Sequence, residues 1–233
     1  MHFKPRKVFR MIIKAVLLDL DNTLVDFVKM KRNSVHAAVQ AMRKAGLKLG
    51  EKEAFEKIFA IYEKYGWEDQ KAFQKLLHKT QGKVDYKILA HGILAYRKEK
   101  AGHLVLYEGV KEALQKLKGK GLKLGIVTDA PKLQAYTRLV GLGVEDYFDV
   151  IVCFDDTKEK KPSRMPFAAA VSKLGLKPEE ILFVGDSFHK DISGAEKFGM
   201  QTAWAKYGKS YDENREVEPD FVLEKFGDLL KIV

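Results

Sequence analysis

The polarity pattern divides the chain into three stretches of different period. The first is short: an unbroken apolar run, Ala15–Leu18, leads straight into Asp19-Leu20-Asp21-Asn22-Thr23. A continuous apolar run that stops at turn-forming residues marks a strand buried on both faces. From residue 27 to residue 105 the apolar positions recur with helical spacing. Val35, Val39 and Met42 share one face, and Phe55, Ile58, Phe59 and Tyr62 follow the i, i+3, i+4, i+7 rule. Phe73, Leu76 and Leu77 mark a third helix, and Leu89, Ile93 and Tyr96 a fourth. Gly46, Gly66, Gly82 and Gly102 fall close to the expected ends.

The third stretch alternates. A helix over 110–118 ends at the turn of Gly119 and Gly121, and a strand over 122–127 stops at Thr128-Asp129-Ala130-Pro131. A helix starting near Pro131 precedes an apolar strand over 150–154. After Lys160-Lys161-Pro162 come a helix through 167–174 and a strand over 181–184 ending at Gly185-Asp186-Ser187. A short helix over 193–198, strands over 202–205 and 221–223, and a last helix finish the pattern. Alternation of this kind predicts a parallel sheet with helices on both faces. The isolated first strand joins that sheet most simply. The expected fold is therefore α/β, a Rossmann-like doubly wound core of residues 1–26 and 105–233, with an all-helical cap domain, 27–104, inserted into it. The crossings near 25–28 and 103–107 are hinge candidates.

Composition narrows the class. With 46% hydrophobic and 32% charged residues among 233, the chain reads as a soluble globular protein. A net charge of +10 favours anionic partners: a phosphorylated metabolite, nucleic acid, or merely solvent around a lysine-rich surface. No basic stripe interleaves with aromatics, which sets nucleic acid behind the other two. The single cysteine, Cys153, excludes an intramolecular disulfide and a cysteine-based zinc site, and its apolar surroundings make it a core residue. The basic N-terminus followed by apolar residues fails as a signal peptide, because Lys14 interrupts the apolar part and Asp19 ends it. Met11 is an alternative start that leaves residues 1–10 as a tail. No apolar run approaches a membrane span, so the expected location is the cytoplasm and the expected assembly a monomer or homodimer.

Polar residues gather at the strand ends: Asp19 and Asp21, Thr128 and Asp129, and Asp186 with Asp191 beyond it. Open α/β sheets bind ligands at the carboxyl ends of their strands. Residues i and i+2 of an extended segment point the same way, so Asp19 and Asp21 would face one site. Two like charges that close need a cation or a shared proton between them. The alternative at this point is that Asp, Asn and Thr only cap the next segment. Carboxylates are hard oxygen ligands suited to Mg²⁺. Thr128, nearby backbone N–H groups and the Lys161 ammonium suit phosphate oxygens.

These four patches in order, Asp19-Leu20-Asp21-Asn22-Thr23, Thr128, Lys161 with Pro162, and Gly185-Asp186-Ser187 through Asp191, resemble the signature of the haloacid dehalogenase superfamily. The inserted helices fall where its cap-bearing members carry theirs. The resemblance implies Asp19 as a nucleophile forming an aspartyl-phosphate and Asp21 as general acid, then base for water. It implies Mg²⁺ held by a carboxylate oxygen of Asp19, the backbone carbonyl of Asp21 and the carboxylate of Asp186, with Asp191 assisting through water or orienting the site. Thr128 and Lys161 would steady the phosphoryl group, with Asp129 as a substrate contact or, ahead of that, a helix cap. Dehalogenases of the superfamily usually lack the second Asp, so Asp21 favours phosphate chemistry. The pattern departs at Arg164, where a second Pro is common; Arg164 reads as a solvated helix-start residue. His189 reads as a loop residue, and Asp155 and Asp156 carry no role. The cap aromatics read as packing, with His36 and Trp67 as candidates to reach a substrate. The chain resembles archaeal cap-bearing phosphatases, implying a small phosphorylated metabolite, glyceraldehyde 3-phosphate or phosphoglycolate, as substrate. The alternatives are a 2-haloacid dehalogenase or phosphomutase on the same fold, and a non-catalytic binding protein.

Overall fold

The computed structural model describes residues 12–208 and 217–233; the basic N-terminal segment and the alternative start at Met11 lie outside them. Two compact units emerge, one from the described residues up to Val25 together with those from Leu106 on, the other from Asp26–Val105.

The first unit is built on strands β1 (Ala15–Leu18), β2 (Lys123–Val127), β3 (Val150–Val152), β4 (Ile181–Gly185), β5 (Gln201–Ala205) and β6 (Phe221–Leu223). Among the described residues they form one sheet in the order β3-β2-β1-β4-β5-β6, every pairing parallel. That is an α/β Rossmann-like core. β1 and β4 are buried at every position, which explains why they read as unbroken apolar runs rather than alternating ones. From β1 the chain builds outward through β2 to β3, then returns to the other side of β1 with β4. The order reverses between β1 and β4, so the crevice of an open sheet opens at their carboxyl ends.

The other unit holds α1 (Phe27–Lys44), α2 (Glu51–Tyr65), α3 (Ala72–Gln81) and α4 (Tyr86–Gly102). Asp26 caps α1 through Lys29 N, and Asp85 caps α4 through Lys87 N and Ile88 N. The core contains Val35, Val39, Met42, Ile58, Tyr62, Phe73, Leu76 and Leu77, with Phe55, Phe59 and Tyr96 packed against it. Gly92 is needed where α4 meets α1, since a Cβ there would stand 2.6 Å from Met42 Cγ. Lys31 is buried because its ammonium donates to Trp67 O at 2.6 Å and lies 3.9 Å from the Tyr62 ring centroid. His36 pairs with Glu51, and Trp67 packs on Phe27 and Phe59, so both have partners inside their own unit.

Around the sheet run α5 (Val110–Gly119), α6 (Lys132–Leu142), α7 (Phe154–Thr157), α8 (Arg164–Leu174) and α9 (Ser193–Phe198). Most boundaries fall within a residue of the sequence expectation, and three places differ in kind. The strand expected over 150–154 stops at Val152, because Asp156 Oδ2 accepts from Cys153 N at 2.9 Å and starts the turn of α7. The last helix is a 3-10 segment, Phe226–Lys231. Gly102 ends α4 from within, followed by His103. Cys153 is buried, and burial pushes its thiol up to about 11, as suits a packing residue.

Candidate active site

β1, β2 and β4 are neighbours running the same way, so their last residues arrive side by side. The ladder continues one residue beyond β1 and β2: Asp19 N donates to Val184 O at 2.9 Å, and Thr128 N to Val152 O at 2.9 Å. Beyond β4 come Asp186, Ser187 and a single π-helical turn, Phe188–Ile192, that leads into α9. That turn carries Asp191 back to the strand ends. Gly185 is required there: a Cβ would lie 2.4 Å from Asp191 Cγ.

Asp19, Asp186 and Asp191 meet at this edge. Carboxylate oxygens from all three lie within 4.8 Å of one another, and all three residues are buried. Lys161 enters the group from the segment before α8, just ahead of a cis Lys161–Pro162 bond. Its ammonium is 2.6 Å from Asp19 Oδ1, 2.7 Å from Asp191 Oδ1 and 2.9 Å from Val127 O. The second Asp191 oxygen accepts from Ser187 N at 3.1 Å. Thr23 Oγ1 stands 3.4 Å from Asp19 Oδ2. Neighbouring Lys160 is exposed, its ammonium 5.7 Å from the Phe154 ring centroid.

The charges are unbalanced. Burial raises the Asp19 carboxyl to about 7, against the pull of Lys161 and with added repulsion from Asp191 and Asp21. Burial, with repulsion from Asp19 and Asp191, raises Asp186 to about 9. Lys161 is held above the ordinary lysine value, because Asp19, Asp191 and Asp129 outweigh its own burial. Three buried carboxylates facing one ammonium still need positive charge. The donors are hard oxygens at a spacing a divalent cation can bridge, so the residues fit a metal of the Mg²⁺ type.

Asp21 behaves differently from its i+2 partner. The chain turns after Leu20, with Asn22 in the left-handed region at φ 62° and Asn22 N bonded to Val25 O at 2.7 Å. Strand alternation therefore stops before Asp21, and its carboxylate is not among the three that converge. It pairs instead with Arg138, whose NH1 is 3.2 Å from Asp21 Oδ2 and whose side chain is 1% exposed. Arg138 escaped the sequence reading. The available signal was its place in α6, where Ala135, Arg138, Leu139 and Leu142 form an i, i+3, i+4, i+7 series with an arginine among apolar residues.

Asp129 is not a helix cap. Its Oδ1 accepts from Lys161 N at 2.9 Å, and Oδ2 lies 3.5 Å from Lys190 Nζ. The first turn of α6 is served by Asp155, whose Oδ2 accepts from Lys132 N at 2.5 Å, while Asp156 pairs with Lys132 Nζ at 2.6 Å. The cap expected from a neighbour in sequence is thus supplied by a neighbour in space. Thr128 is buried and its Oγ1 accepts from Ala130 N at 3.1 Å, which leaves the hydroxyl proton to donate. Arg164 is exposed over the Phe198 ring at 4.7 Å, and His189 is exposed.

Residues 16–205 match the sequence profile described as haloacid dehalogenase-like hydrolase. The chain is similar to a glyceraldehyde 3-phosphate phosphatase of Methanopyrus kandleri, with 34% identity over 227 residues, covering 95% of this chain and 97% of the relative. It is also similar to the pyrophosphatase PpaX of Halalkalibacterium halodurans, with 34% identity over 228 residues and coverage of 96% and 98%. Among solved structures, the magnesium-bound hydrolase YfnB of Bacillus subtilis superposes with a TM-score of 0.70 at 22% identity, covering 95% of this chain and 98% of its own. That level of identity carries the fold alone. No helix among the described residues is long and apolar enough to cross a membrane.

Proposed function

Since the chain belongs to the haloacid dehalogenase-like hydrolase family, we propose that it is a Mg²⁺-dependent phosphatase acting on a small phosphorylated metabolite through an aspartyl-phosphate. One observation carries the reading. Asp19 is fixed by Lys161 at 2.6 Å inside a group of three carboxylates suited to a divalent cation, with Asp21 kept two residues away. Phosphate chemistry needs both features, whereas displacing halide from carbon needs neither a metal nor an acid for the leaving group.

The Asp19 and Asp186 carboxylates and the Asp21 backbone carbonyl would hold Mg²⁺, and bound there it supplies the charge that lets an anionic phosphate approach an anionic nucleophile. Asp191 serves mainly as a brace for Lys161. An Asp19 oxygen bonds to phosphorus as the ester P–O bond breaks, and the electron pair leaves on the ester oxygen. Asp21 gives that oxygen its proton. Water then attacks the aspartyl-phosphate, Asp21 takes its proton, and Asp19 is released with inorganic phosphate. Thr128 and Lys161 donate to the phosphoryl oxygens throughout. The helical residues 27–104 serve as the cap that selects the substrate. The archaeal relatives named for glyceraldehyde 3-phosphate favour that substrate, and a similar solved structure described as a predicted phosphoglycolate phosphatase makes phosphoglycolate the second choice.

The test is a panel of glyceraldehyde 3-phosphate, phosphoglycolate, pyrophosphate and p-nitrophenyl phosphate, run with Mg²⁺ or a chelator on wild type and Asp19→Asn. Expected is phosphate release that depends on Mg²⁺ and is lost in the variant. Equal release by Asp19→Asn, or halide release from a 2-haloacid without metal, refutes the mechanism.

A further inference from the structure

Three cations are buried among the described residues: Lys31, Lys161 and Arg138. Lys31 is occupied by the helical unit, and Lys161 by the carboxylate group. Arg138 belongs to neither. A guanidinium stays charged at any pH a protein survives, and a buried charge is costly unless it is paired. The apolar seam of α6 would be better filled by leucine. What Arg138 meets there is Asp21 Oδ2, at 3.2 Å from NH1.

Asp21 needs such a partner. Asp19 still bonds to β4 through its backbone, whereas Asp21 stands where the following turn begins, bridged to Val25, with its side chain 23% exposed. Proton transfer depends on holding donor and acceptor within hydrogen-bond reach, so the direction of this carboxylate matters. With its side chain 1% exposed, Arg138 is sealed off from substrate. We propose that Arg138 is a positioning residue for Asp21: its guanidinium, 3.2 Å from Oδ2, fixes the direction of the carboxylate that hands over the proton. The inference rests on the phosphatase reading above and adds to it a residue on which the proton transfer depends.

A purely structural role and a positioning role differ in how the damage scales with the leaving group. Phosphoryl transfer to Asp19 needs a proton donor when the departing oxygen is a poor leaving group, such as an alkoxide. p-Nitrophenolate departs with little help. kcat/KM reports steps up to the first irreversible one, so it isolates this transfer from later hydrolysis of the aspartyl-phosphate. General acid catalysis contributes roughly 10²–10⁴-fold, and a misdirected acid forfeits part of it.

The experiment measures kcat/KM on p-nitrophenyl phosphate and on the best alkyl phosphate of the panel, for wild type, Arg138→Met, Arg138→Lys, Asp21→Asn and the Asp21→Asn/Arg138→Met double variant. Expected for Arg138→Met is a loss of about 10–100-fold on the alkyl phosphate and a several-fold smaller loss on the aryl phosphate. Arg138→Lys, with charge but no planar fork, falls between. In the Asp21→Asn background Arg138→Met costs nothing further on the alkyl phosphate. Equal losses on both substrates, no loss on either, or full additivity with Asp21→Asn overturns the proposal. Should Arg138→Met fail to fold, the alkyl-to-aryl ratio of Arg138→Lys decides in the same way. Wild-type protein inactive on every alkyl phosphate sinks the phosphatase reading and this proposal with it, whereas an active wild type with unchanged ratios in the variants sinks this proposal alone.

Discussion

The buried carboxylates make the metal-free protein lose stability as pH rises, and the size of the effect follows from Asp19. Its unfolded value is 3.8 and its folded value about 7. Between those limits the folded protein keeps a proton that the unfolded chain has released. The folded state therefore binds more protons, and stability falls as pH rises through the window. From about pH 5 to pH 7 the difference amounts to roughly two pH units, and at about 1.4 kcal/mol per unit the loss is about 3 kcal/mol. For a chain of 233 residues that lowers the melting temperature by roughly 6–12 °C. Asp186, raised to about 9, adds to the fall in the same direction and extends it further up the pH scale. The assay is thermal melting in chelator at stepped pH, with and without millimolar Mg²⁺. Other groups titrate too, so Asp186→Asn serves as reference: it removes one of the repelling carboxylates and should flatten the slope. Mg²⁺ should raise the melting temperature more at pH 8 than at pH 5, since it binds the deprotonated carboxylates. A metal-free slope no steeper in wild type than in Asp186→Asn, or a Mg²⁺ gain independent of pH, refutes the reasoning.

Lys161→Met removes the ammonium that three oxygens share; it should lower kcat by at least about 100-fold and cost about 3–5 kcal/mol at pH 8 without metal, with a much smaller cost at pH 5, as denaturant titration at both pH values would show. Gly185→Ala drives a methyl group against the Asp191 carboxylate; overpacking of this kind costs about 1–3 kcal/mol, and weakened Mg²⁺ binding by calorimetry should accompany it. Asp155→Ala deprives the first turn of α6 of its acceptor and should lower the melting temperature with Mg²⁺ affinity unchanged, in contrast to the substitutions at the carboxylate group.

Much of the protein can be read from local sequence because its determinants are local. The run Ala15–Leu18, stopped by turn-forming residues, has the pattern of a doubly buried strand, and helical spacing marks out α1–α4 from their own residues. The aspartates at strand ends were readable for a related reason. A parallel sheet brings every carboxyl end to the same edge, so knowing the strands is nearly enough to place Asp19, Thr128 and Asp186 together. Asp191 needed more, because the π-helical turn that returns it to the site leaves no period of its own in the sequence.

The partners of the charged groups were decided by tertiary structure alone. Asp129 looked like a cap for the helix that follows it, yet α6 is capped by Asp155, from a different turn that only folding brings near, while Asp129 holds Lys161 in place. Asp19 and Asp21 looked equivalent by strand alternation, until the turn after Leu20 sent the second carboxylate to Arg138. Sequence determines which residues are apolar and with what period, and burial follows that pattern. An ion pair depends on atoms separated by tens or hundreds of residues approaching within a few ångströms, and the energy that selects the pair arises only once both are out of water.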